Sequence, residues 1–541
     1  MKTNRLTRFL AAVAATACVT AAAACTPRDP DAAPQGDETA EAKETTLVIG
    51  TTADVVNYNP LIGNSRSDLI VTNLMYPHLM DMDLTGRKQP LAATDWGYEG
   101  GGRKAWMTIR DDLVWSDGTP FTAEDVAFTV TAVWKEQIGV YAGLIPSFKS
   151  AKAVSDTRVE FELSRPDGTF LTSLGFWFPI VPAHVFGKAP SVQEFANDSD
   201  WVSAGPYRLV SVRKGDRYVL EAVDQYPLAP GGKPTLDRVI FRVYPDVNSE
   251  VLALRSGEID VIANAIPPSM ARSLQNIEGI ALQEVPSLGW AHVQYNTQRE
   301  PLDRVEVRRA LAKTVDAEAI RRVVLQGQAK STGSSVLTPT LEFWHDPSLE
   351  EYPFDPAAAK AELSRAGFSD ADGDGLFDGL QLEMIYDKAD PITSAIAQMV
   401  RDSSREAGVD IKLSGLERNT YNEKTLERDF DIYLGSWAIM EDPPAYLGLA
   451  FKTGGFINYG NVSDPQLDAL IDQAQRATTP EAARETVREI AHRIHDQVYD
   501  VVLYVQQLNF AYDSSWGNFI AEPSELLSIV NARSLAQVRQ K

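Results

Sequence analysis

The sequence predicts a mixed α/β protein, and three observations carry that reading. Short β-branched apolar runs alternate irregularly with segments of helical period. No fixed-period repeat or low-complexity segment follows Thr45. The 541 residues are 44% hydrophobic and 9% aromatic, which is globular composition, and they exceed what one core usually serves.

The elements follow in chain order. TLVIGTT (46–52) is a β-rich run, and SDLIVTNLMYPHLM begins as a helix. Trp106–Arg110 reads as a strand, after which Ser116-Asp117-Gly118-Thr119-Pro120 turns the chain. Thr122 and Asp125 make a capping box for the helix VAFTVTAVW. RVEFELS alternates with strand period, and GPYRLVSVRKGDRYVLEAV reads as a hairpin around Lys214-Gly215-Asp216. TLDRVIFRVYPD is a further strand, and the helix SEVLALRSG stops at Gly257. AHVQYNTQ is a strand, followed by helices beginning near Asp303 and Asp316. Asp355-Pro356 opens a helix that ends at Gly367, by N-cap and N1 proline, and Asp464-Pro465 and Thr479-Pro480 repeat the device. QLEMIYD, DIKL and DFDIYLGSW read as strands, with ITSAIAQMVRDSSREAG a helix among them. VYDVVLYVQQLNFAY closes with a buried β run.

Charge and cysteine content narrow the function. With 51 Lys+Arg against 74 Asp+Glu, the formal charge is −23. That balance argues against nucleic-acid binding and against electrostatic adhesion to anionic lipid. The two cysteines, Cys18 and Cys25, both precede the folded body, which excludes a disulfide, a Cys nucleophile and a Cys-ligated metal there. No HExxH, GxSxG, SxxK or P-loop signature appears, so an exported hydrolase using paired carboxylates is only a remote alternative.

Lys2, Arg5 and Arg8 precede an apolar run, Phe9–Ala24, that is shorter than the roughly 20 residues of a spanning helix. This reads as an export signal over residues 1–24. Ala22-Ala23-Ala24-Cys25 resembles a bacterial lipobox, whose cysteine is acylated and becomes the first mature residue. Residues 25–45, rich in Pro, Ala and acids, are expected to form a disordered tether. Loss of the three basic residues takes the formal charge to −26. The expected location is the cell envelope, outside the cytoplasm, anchored to the cell membrane by lipid.

Several stretches in order resemble the family 5 extracellular solute-binding proteins of ABC importers, which include oligopeptide-, dipeptide- and nickel-binding proteins. The residues that carry the resemblance are Trp115 through Val126 (WSDGTPFTAEDV), Ala204-Gly-Pro-Tyr207, Leu254 through Asp260 (LRSGEID), Tyr295-Asn296 and Val307 through Asp316. The resemblance implies a two-lobed fold of the large periplasmic-binding-protein type (cluster C), with a ligand cleft between lobes. Lobe I would comprise 46–292, completed by 500–541, and lobe II 293–499. It further implies a monomer without cofactor or enzymatic activity, whose partners are a peptide or small-molecule ligand and the membrane permease.

The loop Leu434 to Pro444 is the first place to look for ligand contacts, because it leaves a strand and, in the family, the segment after its Trp faces the cleft. Trp437 is suited to stacking on a ligand, and the backbone from Gly435 through Ala438 to Ile439 to pairing with an extended peptide. Peptide-binding relatives carry an Asp three positions after this Trp, where it neutralises the ligand's ammonium; here the position is Met440. Either Glu441 takes that role or the ligand has no free amino terminus, which keeps a nickel chelate or an oligosaccharide as the alternative. Asp442 reads as a turn residue before proline. Asn64, Ser65 and Arg66 lie in a loop that borders the cleft in relatives, with Arg66 suited to an anion, and Asn458 is a second cleft-side candidate. Asp370, Asp372, Asp374 and Asp378 begin like a calcium loop, but its twelfth position is Gln381 in place of the bidentate carboxylate, and no resident metal is expected.

Overall fold

The computed structural model describes residues 45–52, 54–62, 66–437, 440–523 and 529–541. They belong to one compact unit, Glu44–Lys541. The signal segment, Cys25 and nearly all of the tether lie outside the described residues. No helix among the described residues is long and apolar enough to cross a membrane.

One large sheet organises the unit. At one end Thr46–Thr51 runs parallel to Arg238–Val243 and to Val261–Ile262. The hairpin Tyr207–Arg213 and Arg217–Ala222 extends that end antiparallel. At the other end Gln381–Asp387 lies parallel to Asp410–Leu416 and Ile432–Ser436, and Ala291–Tyr295 pairs antiparallel with the last of these. The two ends meet on one 13-residue strand, Val501–Asp513. Its first residues pair with Ala291–Tyr295, while its remainder pairs with Ile280–Pro286 and, at Tyr512, with Val261.

Burial follows the same division. One core runs from Leu47 to Val285 and is completed by Leu508, Phe510 and residues up to Val538. A second gathers Val293, Leu311, Met384, Val400, Leu434 and Leu503. A third packs Trp290, Met440, Tyr446, Ile490 and Val502 together with Met82, and the half-buried Phe176 and Trp437 lean on it. Met82 and Phe176 come from the part of the chain that builds the first core, so the third core is where the two bodies touch.

Local chemistry sets the helix starts. Asp355, Asp464 and Thr479 each accept a backbone N–H one turn in, and proline occupies the first turn of each helix. Asp442 does the same, accepting from Ala445 N at 3.4 Å at the head of Pro443–Phe451. The Asp442-Pro443 pair therefore starts a helix where a turn was expected. The four-stranded sheet Ala93–Glu99, Lys104–Ile109, Arg158–Leu163 and Phe148–Ser155 contains two strands with no counterpart in the sequence reading. Ala93–Glu99 and Phe148–Ser155 are largely solvent-facing, which erases the alternation that would reveal them.

The residues of the family resemblance prove to be structural. Thr122 caps Ala123–Glu136, and Asp125 accepts from Thr122 N at 2.9 Å, Ala183 N at 2.8 Å and Trp115 Nε1 at 3.1 Å. Gly118, at φ +87°, closes the turn before it. Asp260 accepts from Val48 N at 2.7 Å and Trp516 Nε1 at 3.0 Å, and Asn296 Nδ2 donates to Arg428 O and Phe430 O. The buried Arg308 guanidinium donates to the carbonyls of Leu302, Asp303 and Gln497. Thr122→Ala is expected to remove only the cap, costing about 1 kcal/mol in a urea titration with an unchanged m-value.

Candidate functional site

The loop after Ile432–Ser436 carries the candidate site. Gly435 is buried, and a Cβ there would stand 2.1 Å from Tyr433 OH, so this glycine makes room for an aromatic neighbour. Trp437 follows, its backbone N–H donating to Trp290 O at 2.8 Å. Its indole stacks on Tyr459 at 5.4 Å, meets Tyr446 edge-on at 5.6 Å and lies 5.8 Å from the His292 ring. Trp437 Nε1, Tyr446 OH and His292 Nε2 are buried without a hydrogen-bond partner among the described residues. Buried polar atoms are nearly always paired, so three orphans in one aromatic box make it the candidate for a group the chain does not supply.

His292 and Asp500 anchor this aromatic box from below. Both side chains are fully buried, and His292 Nδ1 lies 2.7 Å from Asp500 Oδ2. Burial raises the Asp500 carboxyl, and His292 pulls it back down.

Beyond the box, Met440 is wholly buried in the third core. It contributes packing, and no polar atom stands at that position. Glu441 turns the other way: its Oε1 accepts from Trp177 Nε1 at 2.5 Å, and its carbonyl oxygen accepts from Lys88 Nζ at 2.5 Å. Both partners belong to segments that build the first core, so Glu441 is the point at which the loop is pinned across. Burial pushes its carboxyl up to about 7, against the pull of Trp177. The adjacent Asp442 is raised as well, by burial, with Lys88 opposing.

A carboxyl raised above its ordinary value of 4.5 stabilises the fold fully below pH 4.5, and that contribution is lost as pH climbs through about 7. Glu441→Gln is therefore expected to flatten the pH dependence of stability. Its advantage over the parent should grow by about 2 kcal/mol between pH 5 and pH 8, read as a widening Tm gap. Parallel Tm profiles for the two proteins would contradict the assignment.

The other sequence candidates are placed differently. Asn64, Ser65, Ala438 and Ile439 lie outside the described residues, and Arg66 begins the helix Arg66–Asn73. Asn458 is 2% exposed, with its amide committed to the chain: Nδ2 donates to Lys452 O and Val462 O, and Oδ1 accepts from Val462 N. Asp370, Asp372 and Asp374 bring one carboxylate oxygen each within 4.8 Å of one another. Asp378 instead accepts from Ala371 N, and the Gln381 amide donates to Asp410. His292, Asp500, Lys88 and Trp177 were not legible in the sequence, since each comes from a part of the chain remote from the loop, and Tyr446, in the helix that follows the loop, carries no local signal of its role.

Residues 88–458 match the bacterial extracellular solute-binding proteins, family 5 Middle. The probable D,D-dipeptide-binding periplasmic protein DdpA of Escherichia coli is 26% identical over 88% of this chain and 92% of its own length. The nickel-binding periplasmic protein of the same organism is 25% identical over 85% of this chain and 89% of its own. Among solved structures, the ABC transporter substrate-binding protein CtaP from Listeria monocytogenes superposes with a TM-score of 0.81 at 26% identity, covering 92% of this chain and 99% of that one. The fold is thus the mixed α/β, two-lobed fold of periplasmic binding proteins. With most of its length matched, the chain belongs to family 5 of the bacterial extracellular solute-binding proteins, extracytoplasmic binding components of ABC transporters rather than enzymes.

Proposed function

We propose that this protein captures a peptide or similar polar solute between its lobes and delivers it to a membrane permease, working as a monomer tethered through lipid on Cys25. The observation that carries the reading is the loop from Ser436 to Asp442. It presents Trp437, its own Nε1 unpaired, beside two further unpaired buried polar atoms, and pins Glu441 to Trp177 of the other body. A few-residue hinge allows such a loop to close over a solute and reopen, which tight but reversible capture needs. The D,D-dipeptide specificity named for one relative supports a peptide. Native mass spectrometry of protein purified from its source tests this: a co-purifying peptide mixture is the expected result. The burial of Met440 favours one second reading, a solute without a free amino terminus such as a nickel chelate, one relative being named nickel-binding, and a co-purifying chelate would replace the first reading.

A further inference from the structure

Directly behind Trp177 lies a cavity of about 80 Å³, several times the roughly 10–15 Å³ that one water needs. Its walls are mostly aromatic and aliphatic, including Tyr141, Phe176, Trp177 and Tyr226. The charged groups on it are Asp81, Glu522 and Arg533. Asp81 is 6% exposed; its Oδ1 accepts from Met82 N at 2.7 Å, and its Oδ2 accepts from Arg533 Nη1 at 2.9 Å. Glu522 is 8% exposed, and no described residue donates a hydrogen bond to it. Asp81 thus pairs with Arg533, whose own side chain is 42% exposed, and Glu522 has no ion-pair partner among the described residues.

Among the remaining polar groups of the cavity, Asn73 Nδ2 and Tyr226 OH are donors, while His78 and Thr72 offer acceptors. His78 Nδ1 lies 2.6 Å from Phe176 O; a carbonyl only accepts, so this nitrogen carries the hydrogen. Burial lowers the His78 pKa and keeps the ring neutral, which leaves Nε2 as an acceptor. Thr72 has already given its hydroxyl hydrogen to Asp68 O. An aromatic-walled cavity with one buried carboxylate beyond its complement of cations suits an organic cation, which pairs with the carboxylate and gains from the aromatic walls.

We propose that this cavity is a cation subsite, in which Asp81 and Glu522 hold a terminal primary ammonium group of the captured solute. The inference rests on the solute-capture reading and names the chemical class that reading leaves open. It also relocates the ammonium partner: Met440 denies it a place on the loop, and the other body supplies two carboxylates next to the same Trp177–Glu441 contact. Without a cation, burial and then repulsion from Asp81 hold the Glu522 carboxyl well above its ordinary range, with Arg533 opposing. An arriving ammonium ionises it, so binding releases a proton to buffer. The titratable and charged groups facing Glu522 are Asp81, His78, Tyr141, Tyr226 and Arg533; Arg110, near Tyr226, is bound to Asp112.

The test is calorimetric titration of the full protein with D-alanyl-D-alanine, L-alanyl-L-alanine and the Nα-acetylated form of each. A free-amine probe is expected to bind at least about tenfold tighter than its acetylated partner, and Glu522→Gln should erase that difference. Independently of any variant, the wild-type binding enthalpy should differ between phosphate and Tris by the heat of buffer protonation. Equal binding of acetylated and free probes, or no binding of any free amine, overturns the cation subsite. The capture reading is judged separately by native mass spectrometry: a neutral or anionic co-purifying solute sinks the cation subsite while leaving capture intact.

Discussion

Asp500→Ala is expected to destabilise the protein by roughly 3–5 kcal/mol. Both members of the His292–Asp500 pair are fully buried, so removing the carboxylate leaves His292 with both ring nitrogens unpartnered among aromatic rings. Trp290 lies 6.3 Å from that ring, Tyr433 5.4 Å and Trp437 5.8 Å, and none offers the lost acceptor. At about 2.1 cal/mol/K of unfolding entropy per residue, a body of this size should lose about 3–5 °C of Tm. Asp500→Asn keeps an amide oxygen for His292 Nδ1–H, and should lose less than half as much. Because the His292 ring supports Trp437, solute affinity should fall in the alanine variant at temperatures where it remains folded. A loss below about 1 kcal/mol on guanidinium denaturation would show that the pair does not anchor the box.

Gly168→Ala is expected to disturb the junction of the two bodies more than any single contact inside either. The Gly168 N–H donates to Gln475 O at 2.7 Å, and an added Cβ would stand 1.7 Å from Ala477 O. The obstacle is backbone, which cannot rotate aside as a side chain does. Segment 475–477 must therefore retreat by more than 1 Å to reach the roughly 3.0 Å that real contacts keep, and the hydrogen bond breaks with it. Overpacking together with the lost bond puts the cost at roughly 3–4 kcal/mol. Solution scattering should register a larger radius of gyration, and solute affinity should drop at least about tenfold. An unchanged radius with unchanged affinity would show that this contact does not govern the approach of the bodies.

How much of this was legible in the sequence depended on the distance over which each signal acts. The Asp355-Pro356, Asp464-Pro465 and Thr479-Pro480 helix starts were legible because cap and proline lie within one turn. Asp442-Pro443 carries the same signal, and the same pair of residues is equally at home in a turn before proline. The strands Ala93–Glu99 and Phe148–Ser155 were missed because their exposed faces carry no apolar rhythm. At the candidate site, Trp437 and Glu441 were singled out through the family resemblance. Their partners were not: Trp177, Lys88 and Asp500 reach the loop or its box only through tertiary pairing, which no local pattern encodes. The substitution at Met440 was visible, while its burial was not.

The strand Val501–Asp513 has a consequence for the order in which the protein is made. Val261–Ile262, which flanks Thr46–Thr51, is completed on its other side only by this strand, and so is Ala291–Tyr295. During synthesis nearly every other element emerges first, and these two strands wait with an unpaired edge. Neither body can mature ahead of the other, so a nascent chain delayed before residue 501 has no folded half to protect it from proteases or from its neighbours.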